Sequence, residues 1–161
     1  MSVSILMGSA SDLTKMEGAV TALKEFGVPY EIAVMSAHRT PDVVQAHVKT
    51  APERGIRVFI CGAGMAAHLA GAVSAHTHLP VIGVPLSGSA LGGMDALYAT
   101  VQMPKGVPVA TVAIDGAYNA GVLAVQMLAT ADAGLAEKLV QYKKSMQDAI
   151  AAANQKLREQ I

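Results

Sequence analysis

Two short stretches gather residue types able to do chemistry. In "SAHRTP", residues 36 to 41, a histidine and an arginine stand side by side between two hydroxyl residues. An imidazole exchanges protons near neutrality, whereas a guanidinium keeps its charge and presents a planar fork of donors that matches phosphate. His38 beside Arg39 therefore fits proton transfer next to a bound anion. In "GSASD", residues 8 to 12, Gly8 permits a tight turn, and the hydroxyls of Ser9 and Ser11 can join free backbone N–H groups in holding an anion. Asp12 would repel a phosphate but can accept hydrogen bonds from a ribose diol. Taken alone, this pentapeptide is also an ordinary capped helix start.

A third stretch, "CGAGMAAHLAG" (61 to 71), carries Gly62 and Gly64, which let backbone approach a ligand, and His68, expected on the first turn of a helix. It is not a dinucleotide fingerprint, because Ala67 stands where the last glycine of G-x-G-x-x-G belongs. A fourth run of small and hydroxyl residues, "PLSGSALGGMD", spans 85 to 95. The other candidates read as structure: Cys61 as a small buried hydrophobe, His47 as a helix residue, His76 and His78 as partners of a helix C-terminus. No H-x-x-x-H or H-E-x-x-H motif and no carboxylate cluster points to a metal site.

What must position these stretches is legible in the apolar pattern. Strand-like runs cover 3 to 7, 30 to 35, 57 to 61, 80 to 86 and 107 to 114, and helix-like segments lie near 12 to 26, 41 to 54, 66 to 77, 90 to 102 and 117 to 130. Such alternation predicts a five-stranded parallel sheet covered on both faces, a three-layer α/β/α sandwich. Ligands of such sheets bind beyond the C-terminal strand ends, where all four stretches fall. The first helix shows the logic: Leu13, Met16, Ala19, Val20 and Leu23 share one face, Ser11 or Asp12 can cap its start, and Gly27 suits its end. Pro41 suits the first turn of the second helix, leaving Ser36 to Thr40 as the loop before it. The chain reads as one domain, 1–161, with an α/β core to 132 and a helix over 133–161. That helix carries Leu135, Leu139, Tyr142, Met146, Ile150 and Leu157 as a stripe needing a partner.

Composition excludes several classes. Lys plus Arg number 12 and balance 12 Asp plus Glu, with no basic stripe, so nucleic acid is not an expected partner. A single cysteine allows no internal disulfide, no apolar run is long enough to span a membrane, and no signal peptide is evident, so a cytoplasmic location is expected. Hydrophobic residues make up 52% and charged residues only 15%, which predicts apolar surface buried against another subunit.

Taken together and in order, "MGSASD", "SAHRTP", "GAGMAAHLAG" and "VQMPKGVPVATVAI" resemble the PurE family, the N5-carboxyaminoimidazole ribonucleotide mutases of purine biosynthesis, over almost the whole chain. The resemblance implies a flavodoxin-like fold, a homo-octamer, a ribonucleotide substrate and no cofactor or metal. It assigns His38 as catalytic acid and base, Ser9, Asp12 and Arg39 to the ribose phosphate, Ser11 and Ser36 to the same pocket, and Gly64 and His68 to the base and carboxylate end. "SAHRTP" is similar to the mutase branch rather than to the carboxylase that uses carbon dioxide directly, which is the alternative reading. A flavin-binding electron carrier is a further one, disfavoured by 4% aromatic content without Trp. Met65 and, in "IDGAYNAG", Asp115 and Tyr118 depart from the family pattern, and they are expected to leave the motifs untouched.

Overall fold

In the computed structural model, which describes residues 1–161, the apolar runs form strands β1 (Ser2–Met7), β2 (Tyr30–Val34), β3 (Ile56–Gly64), β4 (Val81–Leu86) and β5 (Ala110–Thr111). All pairings are parallel, in the order β2-β1-β3-β4-β5. β4 is buried along its full length, as a central strand covered on both faces must be. This is the doubly wound order in which the chain switches direction between β1 and β3, opening a crevice at their C-terminal ends.

Helices α1 (Leu13–Phe26), α2 (Pro41–Thr50), α3 (Leu69–Ala75), α4 (Met94–Val101), α5 (Ala117–Ala129) and α6 (Ala133–Arg158) complete the layers. On one face Met16, Ala19, Leu23 and Phe26 of α1 and Ala120, Ala124 and Val125 of α5 pack over Ile5, Ile60 and Val84. On the other, Val44 and Val48 of α2 and Leu69, Ala70 and Val73 of α3 cover Leu6, Phe59 and Cys61. The three-layer expectation is met.

Boundaries differ from the sequence reading for local reasons. The first helix is preceded by a 3₁₀ turn (Ala10–Asp12) capped by Ser9; Asp12 holds the N-cap position of α1 itself, as expected for one of the two candidates, but its side chain makes no capping bond to that helix. Ser9 accepts from the Ser11 N–H while Asp12 accepts from the Ser9 N–H, a reciprocal capping box. The second helix changes to 3₁₀ over Ala51–Arg54, at Pro52, which has no N–H to donate. α3 begins only at Leu69, because Met65 adopts φ 55° and the next residues make tight turns, leaving His68 at the N-cap and not on the first turn. α4 begins at Met94, since Gly92 and Gly93 take positive φ that a helix forbids. The strand expected over 107 to 114 pairs regularly only at Ala110–Thr111, after Pro108, although Val112 and Asp115 still donate to the Gly83 and Pro85 carbonyls.

Along α6 the apolar stripe divides. Leu135 is buried, Leu139 and Tyr142 pack on the core of the same chain, and Tyr142 meets Phe26 edge to face at 5.3 Å. Met146, Ile150 and Leu157 stand exposed. Part of the stripe thus finds its partner at home. No helix is long and apolar enough to cross a membrane.

Candidate functional site

The loops that leave β1, β2, β3 and β4 surround a cavity of about 620 Å³, within the size range of small-molecule sites. Eight residues singled out from the sequence line it: Ser9, Ser11, Asp12, Ser36, His38, Arg39, Gly64 and His68.

Local hydrogen bonds build each wall. After β1, the capping box fixes Ser9 against Asp12, and the Ser11 hydroxyl donates to the Ser9 hydroxyl at 2.9 Å. After β2, residues 36 to 40 close on themselves: the Ser36 N–H donates to Thr40 Oγ1 at 3.0 Å, and Ser36 Oγ accepts from the Arg39 N–H at 3.2 Å. Pro41 opens α2 directly behind, as expected. The Arg39 guanidinium reaches across to the Gly8 carbonyl, joining the two loops. A cation is thereby held over the Ser9–Ser11 turn, with further N–H groups to offer an anion.

His38 and His68, thirty positions apart, meet ring to ring. His38 Nε2 lies 2.7 Å from His68 Nδ1, with centroids 4.8 Å apart and planes at 76°. A hydrogen bond between two imidazoles requires one bare nitrogen and one N–H, so the pair holds at most one net positive charge while the bond lasts. The arrangement can present a proton to a ligand, or take one, with the second ring fixing the orientation of the first.

One sequence expectation needs correction here. Gly62 does not open the backbone to a ligand: a Cβ there would sit 2.3 Å from Met16 Sδ, so its missing side chain admits α1 against β3. Gly64 does line the cavity. Two of the departures from the family pattern act on the cavity rather than on the motifs. Met65 lines the cavity, and Asp115 accepts from both the N–H (2.9 Å) and the hydroxyl (2.5 Å) of Ser87 on its rim. Burial alone would raise the Asp115 carboxyl, but the Ser87 hydrogen bonds and the nearby Lys15 outweigh it and hold the group below the usual carboxylate range. Tyr118 points elsewhere, donating to Glu25 of α1 at 2.6 Å. Lys15 is the cavity residue that sequence reasoning missed. Three positions beyond Asp12 on α1, it lies one helical turn deeper on the same face, and that spacing was the available signal.

No group of three or more His, Cys, Asp or Glu side chains sits at metal-binding spacing. Comparison with known proteins gives a consistent set of relatives. The sequence pattern of the AIR carboxylase family matches residues 2–149. The N5-carboxyaminoimidazole ribonucleotide mutase of Thermotoga maritima is 54% identical over 159 residues, covering 99% of this chain and 92% of that one. The phosphoribosylaminoimidazole carboxylase of Schizosaccharomyces pombe is 52% identical over 155 residues, of which the chain spans 28% of the length. Among solved structures, a PurE of Treponema denticola superposes with a TM-score of 0.86 at 30% identity, covering 96% of this chain and 97% of that one.

Proposed function

The chain belongs to the AIR carboxylase family, and from that premise and the geometry of the cavity we infer that it is an isomerase of purine biosynthesis. It converts N5-carboxyaminoimidazole ribonucleotide to 4-carboxy-5-aminoimidazole ribonucleotide. The observation that carries the reading is the His38–His68 pair at the mouth of a cavity whose other wall is the Ser9–Asp12 turn and Arg39.

The reaction breaks the bond from the exocyclic nitrogen to the carboxylate carbon and forms a bond from that carbon to C4 of the imidazole. The departing nitrogen must gain a proton as carbon dioxide leaves, and C4 must lose one after carbon dioxide adds, so proton and charge balance without any co-reactant. One imidazole can do both in turn, which is the role given to His38, with His68 orienting it. Arg39, Ser9 and Ser11 take the phosphate and Asp12 the ribose hydroxyls, with Ser36 bracing the Arg39 loop. Gly64 borders the base, and a Cβ there would press on the Leu86 carbonyl at 3.3 Å.

Full-length similarity to proteins named as mutases favours this reading over direct carboxylation. The fungal and plant relatives named as carboxylases match over 27 to 28% of their length. Conversion of N5-carboxyaminoimidazole ribonucleotide by the purified protein, without ATP or bicarbonate, tests it. If product forms only from aminoimidazole ribonucleotide and carbon dioxide, the carboxylase reading replaces it.

We further propose a cytoplasmic homo-octamer in which the exposed half of α6 meets a neighbour. Support comes from apolar side chains left in the open: Leu91 before α4, Met94, Tyr98 and Val101 along it, and Ile32 and Val34 on edge strand β2. Light scattering should report about eight times the chain mass, closed by symmetry. A monomer would refute it.

A further inference from the structure

Behind the cavity wall formed after β4 lies a three-residue arrangement that the mechanism above does not use. Lys15 Nζ donates to the Ser87 carbonyl and, at 2.7 Å, to the Ser87 hydroxyl. Asp115 receives the Ser87 N–H and hydroxyl, and its carboxylate lies 3.8 Å from the ammonium. The N–H, the carbonyl and the hydroxyl of Ser87 are thereby all engaged, from α1 on one side and the segment before α5 on the other. Asp115 is itself anchored, its N–H donating to the Pro85 carbonyl, and it sits at φ 55°, a left-handed conformation uncommon for a residue other than glycine. A backbone in that region persists only where its surroundings enforce it.

The neighbouring geometry gives this arrangement its purpose. Ser87, Gly88 and Ser89 line the cavity; Ser89 is tied to Asp95 and to the Leu91 N–H, whereas Gly88, at φ 116°, has no side chain to anchor, so the strand-side end of the segment is held at Ser87. Lys15 also lines the cavity, which places the anionic Asp115 behind a cation. A ribonucleotide bearing a phosphate and a carboxylate would meet an uncompensated carboxylate there unfavourably. Resting on the function inferred above, we propose that Lys15 and Asp115 are positioning residues that clamp Ser87 as the far wall of the substrate cavity, with Lys15 neutralising Asp115 toward the anionic substrate.

Charge-swapping variants separate this role from simple packing. Lys15→Met removes the cation and leaves the carboxylate, so KM should rise about tenfold with kcat held within about threefold, and the rise should shrink in about 0.5 M salt, where exposed charges are screened. Lys15→Arg should restore KM. Asp115→Asn keeps a residue that tolerates positive φ and keeps one acceptor for the Ser87 N–H, so Lys15→Met/Asp115→Asn should bind better than Lys15→Met alone. Losses that multiply in the double variant, or a KM for Lys15→Met equal to that of the unaltered protein, would overturn the clamp. A readout independent of the substrate is the Ser87 amide. Asp115→Gly, which removes both acceptors at a φ that glycine adopts freely, should accelerate its hydrogen exchange about tenfold or more. If the unaltered protein fails to turn over the ribonucleotide, the function is wrong. Unchanged exchange in Asp115→Gly would sink the clamp whatever the substrate.

Discussion

Two parts of this molecule bring together the same residue types, histidine, arginine, serine and a carboxylate, and use them in opposite ways. Beyond the C-terminal strand ends, His38, Arg39, Ser9, Ser11 and Asp12 face a cavity with hydrogen-bonding groups to spare. Beside β2, the fully buried Ser4 donates to Glu31 at 2.9 Å and lies 3.1 Å from His47 Nε2, and Arg54 grips Glu31 with two N–H groups at 3.1 and 3.0 Å. There, His47 also contacts Glu31 at 3.0 Å and Arg54 stacks a further donor on the Thr50 hydroxyl. This second cluster satisfies itself. Burial, then the charge of Arg54, holds the His47 imidazole below its usual value, although Glu31 pulls the other way. For Glu31, burial pushes the carboxyl up, but Arg54 and Ser4 prevail and hold it below the usual range. Reactive residue types become a site only where the fold leaves their donors and acceptors unspent and open to a ligand.

The comparison breaks most sharply at His38. His38→Asn keeps polar shape and removes the titrating ring, so turnover should fall by at least about 10² to 10⁴-fold, the range for one proton transfer, while ribonucleotide binding by calorimetry persists. Near-normal turnover would move the chemistry elsewhere. Arg39→Leu comes next. Charged hydrogen bonds contribute about 1.5 to 3 kcal/mol, so affinity should weaken roughly 10- to 150-fold with a smaller change in kcat. Unchanged affinity would mean that Arg39 does not hold the phosphate.

Arg54→Ala probes the other region and should have the reverse signature. Loss of a partly exposed two-pronged ion pair should cost about 1 kcal/mol and lower Tm by about 2 to 4 °C, with kcat/KM unchanged. An activity loss without a stability loss would merge the two regions. The smallest effect is on pH. Because the folded state lowers the His47 value from 6.5, the unfolded chain takes up that proton first, and the cluster's contribution is lost as pH falls below 6.5 through the folded value. Glu31 acts in the same direction below 4.5. Melts at pH 7.5 and 5.5 should therefore differ by about 1 to 2 °C more in the unaltered protein than in His47→Gln.

The sequence by itself determined the alternation of strands and helices, the placing of all four small-residue stretches at one edge of the sheet, and most of the residues around the cavity, Lys15 excepted. Each of these follows from periodicity or from turn chemistry within a few neighbours: the apolar run of β4, Pro41 opening α2, the hydroxyls after β1. Only the tertiary structure decided what depends on strand order. The 2.7 Å meeting of His38 with His68 requires the loops after β2 and β3 to converge, and the Lys15–Ser87–Asp115 clamp requires α1, β4 and the approach to α5 to share a corner, although 72 and 28 positions separate their contacts. The same holds for Gly62, whose space Met16 fills, and for α6, whose stripe divides where Phe26 and α5 run out. Periodicity reports which face of an element is apolar; it carries no information about which distant residue will occupy the space in front of it.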